Sequence, residues 1–217
     1  MERRANHNGV VRVFEKVEQM ILTVIDTETT GLDKSKHEII EVALISYVIS
    51  EDGERFITKK FETKIKPAHI ETANPRALEI NHYKESEWAS APSHREVMPE
   101  VKDMIEKSDL LIGQNLIFDL RFISDACENI YGNDSEINFP PYIDTKAMAD
   151  VLKKNGWIVK SGMDYLCEHY KINFEGKAHT ALADCERTMQ VWDKLVKDCG
   201  DYELYSYESP YDPRYDR

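Results

Sequence analysis

The sequence predicts an α/β domain: a mixed sheet that opens as an antiparallel meander, continues with parallel strands and carries helices on its faces. Three observations carry that prediction. Two long runs rich in β-branched and aromatic residues, 39–50 and 55–66, flank Glu51-Asp52-Gly53, a hairpin turn signal. Beyond them, short apolar runs alternate with helical periodicity, the pattern of strands covered by helices. The 217 residues suffice for one sizeable domain and are short for two.

The elements follow in order. Residues 1–20 read as an appendage, in which Val10, Val13, Phe14 and Val17 have the spacing of a short amphipathic helix. Ile21–Asp26 is the first strand, Ile39–Ser50 the second, and Arg55–Lys66 the third, closed by Pro67. Ala73–Ile80 is a short helix. Ser93-His94-Arg95-Glu96 is a capping box for a helix running to about Lys107. Asp109–Gly113 is a short buried strand, followed by a helix to about Ile130 and a loop over Gly132–Pro141. Tyr142-Ile143 is a last strand, with helices over Thr145–Lys154 and Ser161–Tyr170. The final helix spans Ala178–Lys197, with Leu182, Cys185, Met189, Trp192 and Val196 as its apolar stripe. Residues 201–217 form an acidic, tyrosine-rich tail, so the folded domain is placed at 21–200.

Composition excludes several classes. With 28 basic and 40 acidic side chains the formal charge is −12, the wrong sign for a protein that grips nucleic acid by neutralising phosphates. Catalysis on a strand end is compatible with that charge if metal ions screen the phosphates locally. Cys127, Cys167, Cys185 and Cys199 form no CxxC pair, so they read as small core residues of a reducing compartment rather than a zinc or redox site. No apolar run approaches a membrane span and no signal region opens the chain. The expectation is a cytoplasmic protein with no membrane partner.

Four acids and one histidine stand out. Asp26 and Glu28 lie in 21-ILTVIDTETTGL-32, Asp119 in 115-NLIFDLRFI-123, and His179 and Asp184 in 179-HTALADCERT-188. Each acid borders an apolar stretch, where an unpaired carboxylate is costly unless it is paired or bound to metal. Asp26 and Glu28, two apart on a strand, point the same way and repel unless a cation lies between them. Taken singly each has a bland reading: a solvated strand-end pair, a helix-dipole acid at Asp119, a surface histidine. Asn115 reads as the N-cap of the helix that carries Asp119. On an ideal helix His179 and Asp184 stand roughly 140° apart, so they converge only if His179 precedes the helix proper.

These segments resemble the motifs of the DEDDh 3′→5′ exonucleases, the proofreading-exonuclease superfamily with a ribonuclease H-like fold. DTETTGL resembles the first motif, N-x-x-F-D at 115–119 the second, and H-x-A-x-x-D at 179–184 the third. The runs 39-IIEVALI-45, 143-IDTKAMA-149 and 163-MDYLCEHYKI-172 extend the likeness over about residues 21 to 197. Gln114 departs from it, since many members carry histidine there.

The resemblance implies two Mg²⁺ or Mn²⁺ ions held by Asp26, Glu28, Asp119 and Asp184, with Asp26 between them and His179 as proton acceptor. Hard carboxylate oxygens suit such ions, and imidazole suits proton transfer near neutrality. It also implies that the backbone at Thr27 and the side chains of Thr30 and Leu32 receive the terminal nucleotide, that Asn115 contacts substrate, and that Gly31 lets the chain turn there. Asp144 reads as an N-cap, not a fifth ligand, and Phe118 as core. Lys160 and Lys177 read as isolated surface lysines.

The expected activity is metal-dependent hydrolysis at the 3′ end of DNA, single-stranded or frayed, releasing nucleoside monophosphates in replication or repair. An enzyme acting on RNA or short oligonucleotides is the alternative, because the same carboxylates serve both. A non-catalytic nucleic-acid-processing module on the same fold is the third reading, disfavoured because no ligand position is broken. Any proofreading role needs a separate polymerase or repair partner.

Overall fold

The computed structural model describes residues 20–50, 53–132, 135–174 and 179–199. The expected N-terminal helix, the tyrosine-rich tail, Lys177 and residues 51 and 52 of the turn lie outside them. Strands β1 (Met20–Thr29), β2 (Ile39–Ile49), β3 (Arg55–Lys64), β4 (Leu110–Gly113) and β5 (Tyr142–Asp144) form one sheet in the order β3-β2-β1-β4-β5. β1, β2 and β3 are antiparallel, and β4 and β5 are added parallel to β1. This is the expected mixed, ribonuclease H-like sheet. Helices α1 (Pro75–Ile80), α2 (Glu85–Trp88), α3 (His94–Glu106), α4 (Leu116–Tyr131), α5 (Thr145–Lys154), α6 (Met163–Tyr170) and α7 (Ala181–Cys199) complete it.

The alternation of β1 sorts the core into two layers. Leu22 and Val24 join Ala43, Ile45 and Ile112 under Ala181, Cys185 and Met189 of α7. Ile25 joins Val42, Leu44 and Leu111 on the opposite face, under Val101 and Ile105 of α3 and Leu116, Leu120 and Ile123 of α4. A third cluster packs Leu152 of α5 and Leu166 of α6 against Val191 and Leu195 of α7. Burying each such aliphatic side chain contributes about 1.5–3 kcal/mol, so α7 is fixed on both of its sides.

Several boundaries differ from expectation for identifiable reasons. β1 extends to Thr29 and takes in Met20, which pairs with Ile49. Acids are poor strand formers, but pairing with β2 carries β1 past Asp26 and Glu28. α7 begins at Ala181, not Ala178, and α6 at Met163, not Ser161. The short helix α2 was not expected. It buries Trp88, whose indole N–H donates to the Ile40 carbonyl at 2.7 Å. The capping box of α3 is present: Glu96 accepts the Ser93 main-chain N–H at 2.8 Å. Cys127, Cys167 and Cys185 are buried and Cys199 half-buried, all as free thiols.

Candidate active site

The topology brings the acids to one edge of the sheet. β1 and β4 run parallel, so their C-terminal ends lie on the same side, and α4 starts there. Asp26 and Glu28 continue the face of Leu22 and Val24, the face covered by α7. The first turn of α7 carries Asp184, and His179 stands just before that turn. Potential ligand atoms of Glu28, His179 and Asp184 all lie within 4.8 Å of one another. His179 is outside the helix at φ 63°, a left-handed conformation, and this placement removes the angular mismatch of mid-helix positions five apart.

Asp119 reaches the same edge from the other face. It is buried, and its Oδ1 accepts both the Thr27 main-chain N–H at 2.9 Å and the Thr27 hydroxyl at 2.6 Å. Thr27 points to the α4 side because it alternates with Asp26 and Glu28. The strand thus presents two acids on one face and holds a third through the residue between them.

The electrostatics are those of crowded carboxylates. Burial, then repulsion by Asp119, Glu28, Asp184 and Glu41, holds Asp26 well above the usual carboxylate range. Burial and repulsion by Asp184, Glu41 and Asp119 push Glu28 to about 8. Asp119 rises to about 7, chiefly by burial, although the Thr27 hydrogen bonds pull it down. The Arg187 guanidinium at Asp184 offsets only part of the charge of such a group of acids, and hard divalent cations with oxygen ligands are its natural complement. The donor set therefore fits the ions that the motifs imply.

Sequence reasoning missed two residues of this edge. Glu41 lies directly across from Glu28 in the β1–β2 register, an unfavourable like-charge pair. Its Oε1 accepts the Ala181 N–H at 2.9 Å, which anchors the start of α7. A glutamate inside the apolar run 39-IIEVALI-45 was the available signal. Arg187, with a side chain only 2% exposed, bonds Asp184 Oδ1 at 2.7 Å and also pairs with Asp164. Its position three residues after Asp184, one helical turn on, was the signal there.

The expected substrate contacts divide. Leu32 is 85% exposed, which removes the reading of it as a buried loop residue. Thr30 is fully buried, and its hydroxyl accepts the Glu38 N–H at 2.9 Å, so its side chain holds the turn and does not face outward. The Thr27 N–H and hydroxyl are committed to Asp119. Asn115 is at the N-cap of α4 but makes no side-chain cap bond. Its backbone is left-handed at φ 63° and its N–H donates to Asp144 Oδ1 at 2.9 Å. Gly31 has no left-handed φ, and a Cβ there would stand 2.6 Å from the His37 ring, which would have to move aside. Asp144 caps α5 by accepting the Lys146 and Ala147 N–H groups, as expected. Gln114 bridges Thr145 and the Ser161 carbonyl. Phe118 packs against the core beside Phe122.

A mixed five-stranded sheet with acids and a histidine gathered where β1, α4 and α7 meet defines a ribonuclease H-like nuclease fold. Comparison with known proteins agrees. The exonuclease family model (RNase_T) matches residues 23–192, and the chain belongs to that family. It is 32% identical over 180 residues to the PolC-type DNA polymerase III of Thermotoga petrophila, across 83% of this chain but only 12% of that protein. It is 28% identical over 198 residues to ribonuclease T of Actinobacillus pleuropneumoniae, across 84% of this chain and 88% of that one. Among solved structures, exonuclease X in complex with 5′-overhanging duplex DNA superposes with a TM-score of 0.57 at 21% identity, across 82% and 92% of the two chains. No helix among the described residues is long and apolar enough to cross a membrane.

Proposed function

We propose that the protein is a metal-dependent 3′→5′ exonuclease of the DEDDh type. It removes nucleoside monophosphates from the 3′ end of DNA, single-stranded or frayed, within a catalytic domain spanning about residues 20–200. The observation that carries this reading is the meeting of Glu28, His179 and Asp184 within 4.8 Å, beside Asp26 and Asp119, whose carboxyls burial and crowding hold above the usual carboxylate range.

Asp26, Glu28, Asp119 and Asp184 would hold two Mg²⁺ or Mn²⁺ ions. Such ions neutralise charge on the phosphate and make a bound water acidic enough to attack at neutral pH. The protein's own residues do the rest. Thr27 orients Asp119, and Arg187 orients Asp184. Glu41 holds the start of α7, so that His179 stands ready to accept the proton of the attacking water. Leu32, exposed on the turn after Glu28, meets the terminal nucleotide, and Asn115 at the start of α4 lies within reach of the strand.

A second reading has its own support. The match to ribonuclease T runs nearly end to end, whereas the match to the PolC-type polymerase covers a small part of that protein. This favours RNA or short oligonucleotides as an alternative substrate. A polymerase or repair partner is proposed only for the DNA reading.

Matched 5′-labelled DNA and RNA single strands, incubated with and without Mg²⁺, test both readings. The expected result is a ladder shortening from the 3′ end only with metal, blocked by a 3′-phosphate, and the faster ladder assigns the sugar. Cleavage of closed circular strands or at internal bonds would show that the exonuclease reading is wrong.

A further inference from the structure

We propose that the segment joining α5 to α6 is a stacking platform for single-stranded nucleic acid upstream of the cleaved 3′ end, with Trp157 as its plate and Lys154 and Lys160 beside it. The strand's direction rests on the exonuclease reading; the platform itself does not.

The backbone there is fixed. Just past the end of α5 stands Gly156 at φ 77°, its N–H bonded to the Lys153 carbonyl and the Trp157 N–H to the Leu152 carbonyl, both at 3.0 Å. This paired closure is a Schellman motif. Ile158 is 4% exposed and plugs the α5–α6–α7 cluster. The Val159 N–H bonds the Tyr165 hydroxyl at 3.3 Å. With Ile158 pinned inward, Trp157 and Val159 are turned outward, at 57% and 70% exposure.

A Schellman closure commonly packs its last residue back onto the helix, which is a sufficient structural role for a buried tryptophan. Trp157 is more than half exposed, so that role leaves most of the ring free. Trp88 and Trp192 are 2% and 8% exposed, and Trp157 stands apart from both.

Charge complementarity identifies the occupant. In a chain of net charge −12, no acid occurs between Asp150 and Asp164, while Lys153, Lys154 and Lys160 fall in that interval and are exposed. Lys154 and Lys160 have no ion-pair partner among the described residues. Exposed aromatic and basic groups on a rigid backbone fit a single strand, whose bases stack and whose phosphates seek cations. The platform is also tethered to the active site. Ser161, next to Lys160, accepts a hydrogen bond from Gln114 Nε2 at 3.0 Å, and Gln114 adjoins the start of α4, which carries Asp119. Trp157 is four residues from Ser161, so the plate lies within about 14 Å of that tether.

Titration of the full chain with oligothymidylate of about 20 nucleotides, in EDTA so that nothing is cleaved, tests this directly. Tryptophan emission is expected to quench, and Trp157→Phe to abolish the quenching while keeping affinity. Trp157→Ala is expected to weaken binding by ~10-fold, the scale of one lost base stack. Lys154→Glu with Lys160→Glu is expected to flatten the slope of log affinity against log salt by about 1.4, or 0.7 per phosphate contact. In Mg²⁺, Trp157→Ala is expected to raise KM for the long strand while dinucleotide hydrolysis stays unchanged. Unquenched emission with wild-type affinity in Trp157→Ala overturns the platform. So does equal weakening of Trp157→Ala and Trp157→Phe, which would mark a folding role, or altered self-association with unaltered strand binding. A wild-type chain that cleaves nothing counts against the exonuclease reading alone, because the EDTA titration still decides the platform.

Discussion

Thr27 donates twice to one oxygen of Asp119, through its main-chain N–H at 2.9 Å and its hydroxyl at 2.6 Å. The residue between the two acids of β1 thereby fixes the acid of α4. Thr27→Val removes the hydroxyl and keeps the shape. It is expected to cost about 1–2 kcal/mol of stability, the scale of a buried bond to a charged or partly charged acceptor, and to weaken Mn²⁺ binding. Thr27→Ser is expected to restore both. Thermal melts and metal titrations of the two variants make the comparison.

Asp26→Asn is expected to abolish cleavage without unfolding the chain. Removing one charge from a crowded buried set relieves repulsion, so melting of the metal-free protein at pH 8 is expected to hold or rise. A folded variant that cleaves at near wild-type rates would remove Asp26 from the site.

The metal-free protein is expected to lose stability as pH rises through neutrality. Glu28 and Asp119 have folded values of about 8 and about 7 against ordinary values of 4.5 and 3.8. A carboxyl raised in this way binds its proton more tightly in the folded chain. Its favourable contribution is complete below the ordinary value and is lost as pH rises through the folded one. Melting temperature in EDTA should therefore fall between about pH 5 and pH 8, and Mn²⁺ should flatten that fall. A pH-independent melt in EDTA would contradict the crowding.

His179→Ala is expected to lose ~10²–10⁴-fold in rate, the usual weight of a general base, and to recover partly at high pH as hydroxide replaces it. Asp184→Ala should show no such recovery. Parallel pH–rate profiles that cannot be told apart would remove the proton-transfer role from His179.

Arg187 is expected to be structurally indispensable. It is nearly inaccessible and bridges Asp184 to Asp164. Deleting the guanidinium leaves the shielded Asp184 unpaired, at a cost approaching the roughly 3–5 kcal/mol of a broken buried pair, while the contact to the exposed Asp164 adds little. Arg187→Met should lower the melting temperature sharply, and Arg187→Lys should not rescue it, because one ammonium does not reproduce the forked contact to two carboxylates.

Much of this was legible in the chain because the signals are local. The β-branched and aromatic runs at 39–50 and 55–66 and the capping box at Ser93 depend on neighbours a few residues away, and the catalytic candidates announce themselves as acids among apolar residues. What escaped depends on register and rotation. Glu41 matters because β1–β2 pairing sets it opposite Glu28 and because its carboxylate reaches Ala181, far along the chain. Arg187 matters through the rotation of α7 relative to Asp164 on α6. Asn115 looked like a side-chain cap, but asparagine also tolerates the left-handed region, and here the turn uses that tolerance instead. Thr30 looked available to substrate and is sealed by Glu38 and the returning chain.

If the carboxylates at this sheet edge form a divalent-cation site, calorimetric titration of the metal-free protein with Mn²⁺ will register it. Two ions are expected to bind per chain, with near-complete loss of binding in Asp26→Asn and binding retained in His179→Ala. Absence of Mn²⁺ binding by the wild-type chain, or wild-type binding in Asp26→Asn, would contradict it.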